Sequence, residues 1–245
     1  METPHRMLVE AALNGGRTRA DHPDIPLTPD ELAMASRDSV AAGAGAIHFH
    51  VRAGDGRESL DPRDVAAAVA AVRAAVPSTP FGVSTGAWIL NDSKLRLKAV
   101  AAWTALPDFA SVNFTEEGAS ELAKLLISRG IAIEAAVSNV HGTEIFARSK
   151  LAPKCLRVLM EPMDQILEKA LWMVDSIETV LDRARIALPR LLHGMNQIAW
   201  QMIDVAAKRG YDTRVGFEDI LKLPDGAPAA SNAALVGEVV RRTGR

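Results

Sequence analysis

Cysteine is almost missing from this 245-residue chain, where Cys155 stands alone. An internal disulfide is therefore excluded, and a reducing compartment suits the chain. Aromatic residues are scarce at 4%, so small and branched aliphatics, alanine above all, must fill the core. Charge of neither sign dominates: 28 lysines and arginines face 30 aspartates and glutamates, for a formal −2. With no basic run and no aromatic-interleaved patch, nucleic acid is not an expected partner. No apolar stretch approaches the roughly 20 residues of a membrane span. The segment METPHRMLVEAALNGG lacks the long apolar region of a signal peptide. A cytoplasmic protein without a membrane partner is expected. LNGGRT is glycine-rich, yet it is neither G-x-G-x-x-G nor a Walker loop.

What the chain does have is 48% apolar residues and a regular rhythm. Strand-like runs at 6–13, 45–52, 80–84, 109–114, 131–137, 156–162, 189–194 and 213–219 alternate with helix-like segments. The latter span 29–43, 62–76, 92–104, 117–129, 142–150, 164–186, 196–209 and 231–243. Eight such units with no linker-like break predict a single α/β domain over 1–245, a (β/α)8 TIM barrel. Thr28, Asp61, Asp164 and Ser231 are predicted helix N-caps. Thr28 adds Pro29 and Glu31, a capping box with the favoured first-turn proline.

In such a barrel, function collects at the carboxyl ends of the strands. Those ends hold Asn14, His48, His50, Arg52, Ser84, Thr85, Asn113, Glu134, Glu161, His193, Arg214, Glu218 and Asp219. The sharpest local signal is IHFHVR, in which His48, His50 and Arg52 alternate with Ile47, Phe49 and Val51. Two imidazoles on one strand face can hold one ion, with a carboxylate as third ligand. Glu218, closing the last strand beside the first, is a plausible third ligand, and Asp219 points differently and could serve as a base. A hydrogen-bonded structural pair is the alternative for the two histidines.

Other residues keep two readings. Arg52 binds an anion or pairs with Glu58 or Asp61; Ser84 and Thr85 hold a carboxylate oxygen or cap backbone. Glu134 and Glu161 belong to the site or to an internal polar network. His193 reads as a structural histidine bonded to a strand-end carbonyl, while His5, His22 and His141 read as surface or loop residues. Trp103, Trp172 and Trp200 read as packing and Trp88 as a pocket wall. Lys94, Arg96 and Lys98 read as a solvated helix face, and Cys155 as a core residue.

LNGGRTRADHPDIPLTPDEL, GAGAIHFHVRAGDGRESLDP, GVSTGAW and TRVGFEDIL occur in this order along the chain. Together they resemble the β-keto acid cleavage enzyme family. The resemblance implies a zinc-binding barrel that exchanges acyl groups between a β-keto acid and acetyl-CoA, giving an acyl-CoA and acetoacetate. On matching positions it implies Zn2+ held by His48, His50 and Glu218. It also implies Asp219 paired with Arg214 as the base, and Ser84 with Thr85 on the substrate carboxylate. The better-known branch has an acidic residue after the first strand that recognises a substrate amine. Here Asn14, Gly16 and Arg17 stand there, and Arg17 favours a neutral or anionic substrate. Asn14, Arg17 and Asn113 are the further candidate substrate contacts. Related barrels commonly associate and the alanine-rich helices permit close packing, so a homo-oligomer is expected. A metal-dependent aldolase or hydrolase without coenzyme A, and a non-catalytic metal-bound barrel, are the competing readings.

Overall fold

In the computed structural model, which describes residues 7–244, eight parallel strands close into a barrel and eight helices alternate with them. The strands are β1 (Val9–Ala12), β2 (Ala46–Phe49), β3 (Phe81–Ser84), β4 (Phe109–Asn113), β5 (Ala132–Val137), β6 (Cys155–Met160), β7 (Arg190–Leu192) and β8 (Asp212–Val215). The helices are α1 (Pro29–Ala41), α2 (Pro62–Ala75), α3 (Ser93–Ala101), α4 (Ala119–Ser128), α5 (Val140–Ser149), α6 (Leu167–Arg183), α7 (Ala199–Arg209) and α8 (Asn232–Thr243). Closure comes from β1 pairing with β8, Glu10 standing opposite Arg214. No helix among the described residues is long and apolar enough to cross a membrane. His5 lies outside the described residues.

Local chemistry accounts for the boundaries. Thr28 accepts from the Glu31 amide while the Glu31 carboxylate accepts from the Thr28 amide, a reciprocal cap of about 1 kcal/mol. Asp61 and Ser231 cap as expected. Asp164 does not: α6 begins after Ile166, which makes no side-chain cap bond. The last strand is shorter than its apolar run suggests. It stops at Val215 because Gly216 turns the chain, accepting from the Asp219 and Ile220 amides. A Cβ at 216 would lie 2.0 Å from the Ala12 carbonyl oxygen, so only glycine lets β8 run this close to β1. Glu218 and Asp219 are thereby carried on a turn, not on the strand. Likewise β2 ends at Phe49, leaving His50 and Arg52 just beyond it.

Between strands and helices lies an aliphatic layer containing Ile47, Val83, Val112, Val158 and Val215, with Val69, Leu126 and Val236 from the helices. Burial of such a side chain contributes about 1.5–3 kcal/mol. The barrel interior is different. Branched aliphatics usually fill it, but here buried Glu10, Glu134, Arg157, His48 and Arg214 lie beneath the mouth. Arg157 bridges the floor, its Nε donating to Glu134 at 2.5 Å and a terminal nitrogen donating to Glu10.

Burial and the neighbouring Glu134 carboxylate push Glu10 up to about 8 from its ordinary 4.5, against the pull of Arg157 and Arg214. The fold thus favours protonated Glu10, a contribution present below its ordinary value and lost as pH rises through about 8. Glu10→Gln, which cannot ionise, is expected to gain stability over the parent as pH rises. Thermal unfolding in chelator at acid and alkaline pH checks this. The same difference in Tm at both pH values would contradict it.

Candidate active site at the carboxyl end of the barrel

A cavity of about 660 Å³ opens at the carboxyl ends of the strands, with His50, Glu58, Trp88, Glu161, Arg17 and Glu218 in its wall. His48 and His50 keep the alternation of their strand: their rings sit 5.4 Å apart, edge to face. Both turn toward Glu218, with His48 Nε2 3.8 Å from its Oε2 and His50 Nε2 3.4 Å from its Oε1. One ligand atom from each residue lies within 4.8 Å of the other two. Bonds of about 2.0–2.1 Å at tetrahedral angles place neighbouring ligand atoms about 3.4 Å apart. These separations fit a divalent cation among the three groups. Glu218 Oε2 is buried without a hydrogen-bond partner among the described residues, as a ligand oxygen would be.

Electrostatics divide the two histidines. Burial drives His48 down to about 4, outweighing the Glu218 charge, so it is neutral at neutral pH with a lone pair ready. Burial also opposes charge on His50, yet the Glu218 and Glu58 carboxylates prevail and raise it to about 9. Glu218, despite burial, is held well below the ordinary carboxylate range by Arg214 and both histidines.

Beneath Glu218 lies Asp219, fully buried. Arg214 grips it with two hydrogen bonds, Nε to Oδ2 at 3.2 Å and a terminal nitrogen to Oδ1 at 2.7 Å. The same terminal nitrogen donates to Glu218 Oε1 at 3.2 Å. Asp219 is lowered because Arg214, then His193, outweigh its desolvation. His193 does not bond a strand-end carbonyl, as the sequence suggests. Its buried ring stands between two acids, Nδ1 3.3 Å from Asp219 and Nε2 4.0 Å from Glu161.

The remaining candidates divide in two. Arg17 and Asn113 line the cavity. Arg17 also donates to the Glu218 carbonyl at 3.2 Å and to Asn196 at 2.8 Å, and Asn113 donates to Glu116 at 3.0 Å. Asn14, Ser84 and Thr85 lie behind the lining. The Asn14 amide joins the Pro26 and His50 carbonyls and the His50 amide. Thr85 donates its hydroxyl to the Ser111 carbonyl at 2.6 Å, and Ser84 accepts weakly from the Gly86 amide at 3.4 Å. Arg52 donates to the Gly15 and Arg17 carbonyls, fastening the loop after β1, and its nearest approach to Glu58 is 3.9 Å.

Three surface or packing assignments change. Arg96 is buried, not solvated, because it reaches Glu116 and the Glu117 carbonyl in the turn before α4. Trp172 is exposed, since it sits on the outer face of α6. Cys155 is only half-buried at the start of β6, and burial raises its thiol to about 11. Trp88 does wall the cavity. Glu58 and Asn196 had no motif to reveal them. Asn196 adopts a left-handed backbone with φ 53°, a conformation asparagine tolerates better than most residues. Its amide donates to the Asp219 carbonyl at 2.7 Å.

A parallel barrel with a two-histidine, one-carboxylate cluster that could hold a cation and a buried acid–arginine pair at one face has the layout of an enzyme active site. The chain belongs to the beta-keto acid cleavage enzyme family, whose model matches residues 6–244. It is 27% identical to the 3-keto-5-aminohexanoate cleavage enzyme of Fusobacterium nucleatum, covering 96% of this chain and 90% of that one. It is 26% identical to the enzyme of that name from Acetoanaerobium sticklandii, covering 96% and 91%. Among solved structures it resembles ObcA in a ternary complex with a C4-CoA adduct and oxalate, with a TM-score of 0.67 and 20% identity. That match covers 90% of this chain, which spans 64% of the ObcA chain.

Proposed function

We propose that this protein is a zinc-dependent exchange enzyme acting on a β-keto acid and acetyl-CoA, with an acyl-CoA and acetoacetate as products. The observation that carries the reading is the convergence of His48, His50 and Glu218, of which His50 and Glu218 line the cavity. A zinc ion held by these three residues would supply Lewis acidity, making the proton between ketone and carboxylate of a β-keto acid more acidic. Two imidazoles and a carboxylate suit zinc among divalent metals.

Asp219 takes that proton, and Arg214 keeps its carboxylate oriented and ionised. The substrate enolate attacks the thioester carbonyl and coenzyme A leaves as thiolate. The thiolate adds to the original ketone carbon, the bond to the former α-carbon breaks, and acetoacetate forms when Asp219 returns the proton. Arg17, the only lysine or arginine among the described lining residues, attracts the substrate carboxylate. No acidic residue follows β1 at the Asn14–Arg17 turn, which favours a substrate without an amine. Glu161 is the rival base, because it lines the cavity and its carboxylate, 4.0 Å from His193 Nε2, makes no hydrogen bond among the described residues.

A panel of β-keto acids incubated with acetyl-CoA, assayed for acetoacetate alongside zinc content, tests the proposal. Cleavage without acetyl-CoA would instead support an aldolase or hydrolase. Metal binding without turnover across the panel would support a binding barrel.

Proton release offers a separate check. In the metal-free protein His50 holds a proton up to about pH 9, and a ligand nitrogen must give it up. Zinc affinity is expected to rise about tenfold per pH unit through neutrality. Calorimetry in buffers of different ionisation enthalpy measures the released proton; an affinity independent of pH would contradict the assignment of His50.

A further inference from the structure

The turn after β2 folds Glu58 back onto the histidine pair. Gly56, at φ +84°, lets the chain reverse, the Ala53 amide donates to the Arg57 carbonyl at 2.8 Å, and the Ser59 amide donates to the Val51 carbonyl at 2.9 Å. Arg52 and Glu58 become bridge partners as a result. On the far side, Ser59 donates to Asp64 at 2.6 Å and accepts from the Asp61 amide at 3.0 Å, fixing the segment to the start of α2. Glu58 is thus held from both ends. Its Oε1 meets His50 Nδ1 at 2.5 Å, on the ring edge opposite the nitrogen that faces Glu218. Trp88 donates its indole N–H to both Glu58 oxygens at 3.1 Å and lies near-parallel to the His50 ring, centroids 6.0 Å apart.

Resting on the cation centre proposed above, we propose that Glu58 is a positioning residue of that centre. It accepts the His50 Nδ1–H bond and so fixes the tautomer and ring orientation that present Nε2 to the metal. Trp88 restrains both partners from the cavity side. A ligand histidine commonly has such a carboxylate behind it, and its removal typically weakens metal affinity 10–100-fold. The distances decide against Glu58 as chiefly an Arg52 partner, since that ion pair spans 3.9 Å.

The test is zinc affinity by chelator competition in the full chain for the parent, Glu58→Gln and Glu58→Ala, with thermal unfolding of each metal-free form. The alanine variant is expected to bind roughly 10–100-fold more weakly. The glutamine variant, whose amide oxygen still accepts from Nδ1–H, should fall between it and the parent. Glu58 also bonds His50 and Trp88 without metal, so the loss of affinity should exceed any loss of metal-free stability. Parent-like affinity in both variants would overturn the role of Glu58 alone. A loss of affinity matched by an equal loss of metal-free stability would overturn it too, as a general structural effect. A parent that binds no zinc would remove the cation centre itself, and this role with it.

Discussion

Asp219→Asn is expected to lower kcat by roughly 10²–10⁴, the usual scale of a lost proton transfer, while zinc content stays at the parent level. The substitution changes charge and basicity with little change in size. Arg214 retains an oxygen acceptor at position 219 and its 3.2 Å bond to Glu218, so the guanidinium is not abandoned in the barrel. The proposed metal ligands His48, His50 and Glu218 are a separate set, which is why zinc should persist. The decisive comparison is Glu161→Gln. Glu161 reaches the cavity and Asp219 does not line it, so the two variants separate the candidate bases. A large loss confined to Asp219→Asn supports the buried dyad. An unchanged kcat in Asp219→Asn with a large loss in Glu161→Gln would transfer the role to Glu161.

His48→Ala should strip most of the zinc and take turnover below detection. Of the proposed ligands, His48 is the one that needs no deprotonation, since burial holds it near 4, and its Nε2 stands 3.8 Å from Glu218. Without it, one imidazole and one carboxylate remain, too few to retain zinc against dialysis. Folding of the variant is judged against the parent in chelator, because zinc bound only to the folded state stabilises the parent by mass action. Full turnover in a metal-free His48→Ala protein would refute the Lewis-acid role.

The barrel was readable because alternating apolar periods and caps such as Thr28 and Asp61 are local properties of the chain. The histidine pair and Glu218 were readable for a related reason: adjacency of the first and last strands follows from closure. What stayed hidden depends on how turns redirect single side chains. Gly216 converts an apparent strand into a turn, so Arg214 and Glu218 meet across one helical-type spacing and not on one strand face. Glu58 looks like an ordinary loop acid until the Gly56 turn brings it to His50. His193 sits at a strand end like many structural histidines, and only the β8 turn shows that its neighbour is Asp219. Arg96 has the spacing of a solvated face, but Glu116 and the Glu117 carbonyl draw it inward.

The most direct measurement is anomalous diffraction at the zinc absorption edge from crystals of the zinc-loaded protein. One strong peak is expected within bonding distance of His48 Nε2, His50 Nε2 and a Glu218 carboxylate oxygen. A map without a peak among those three side chains, from protein that turns over a β-keto acid, would contradict the proposed zinc site.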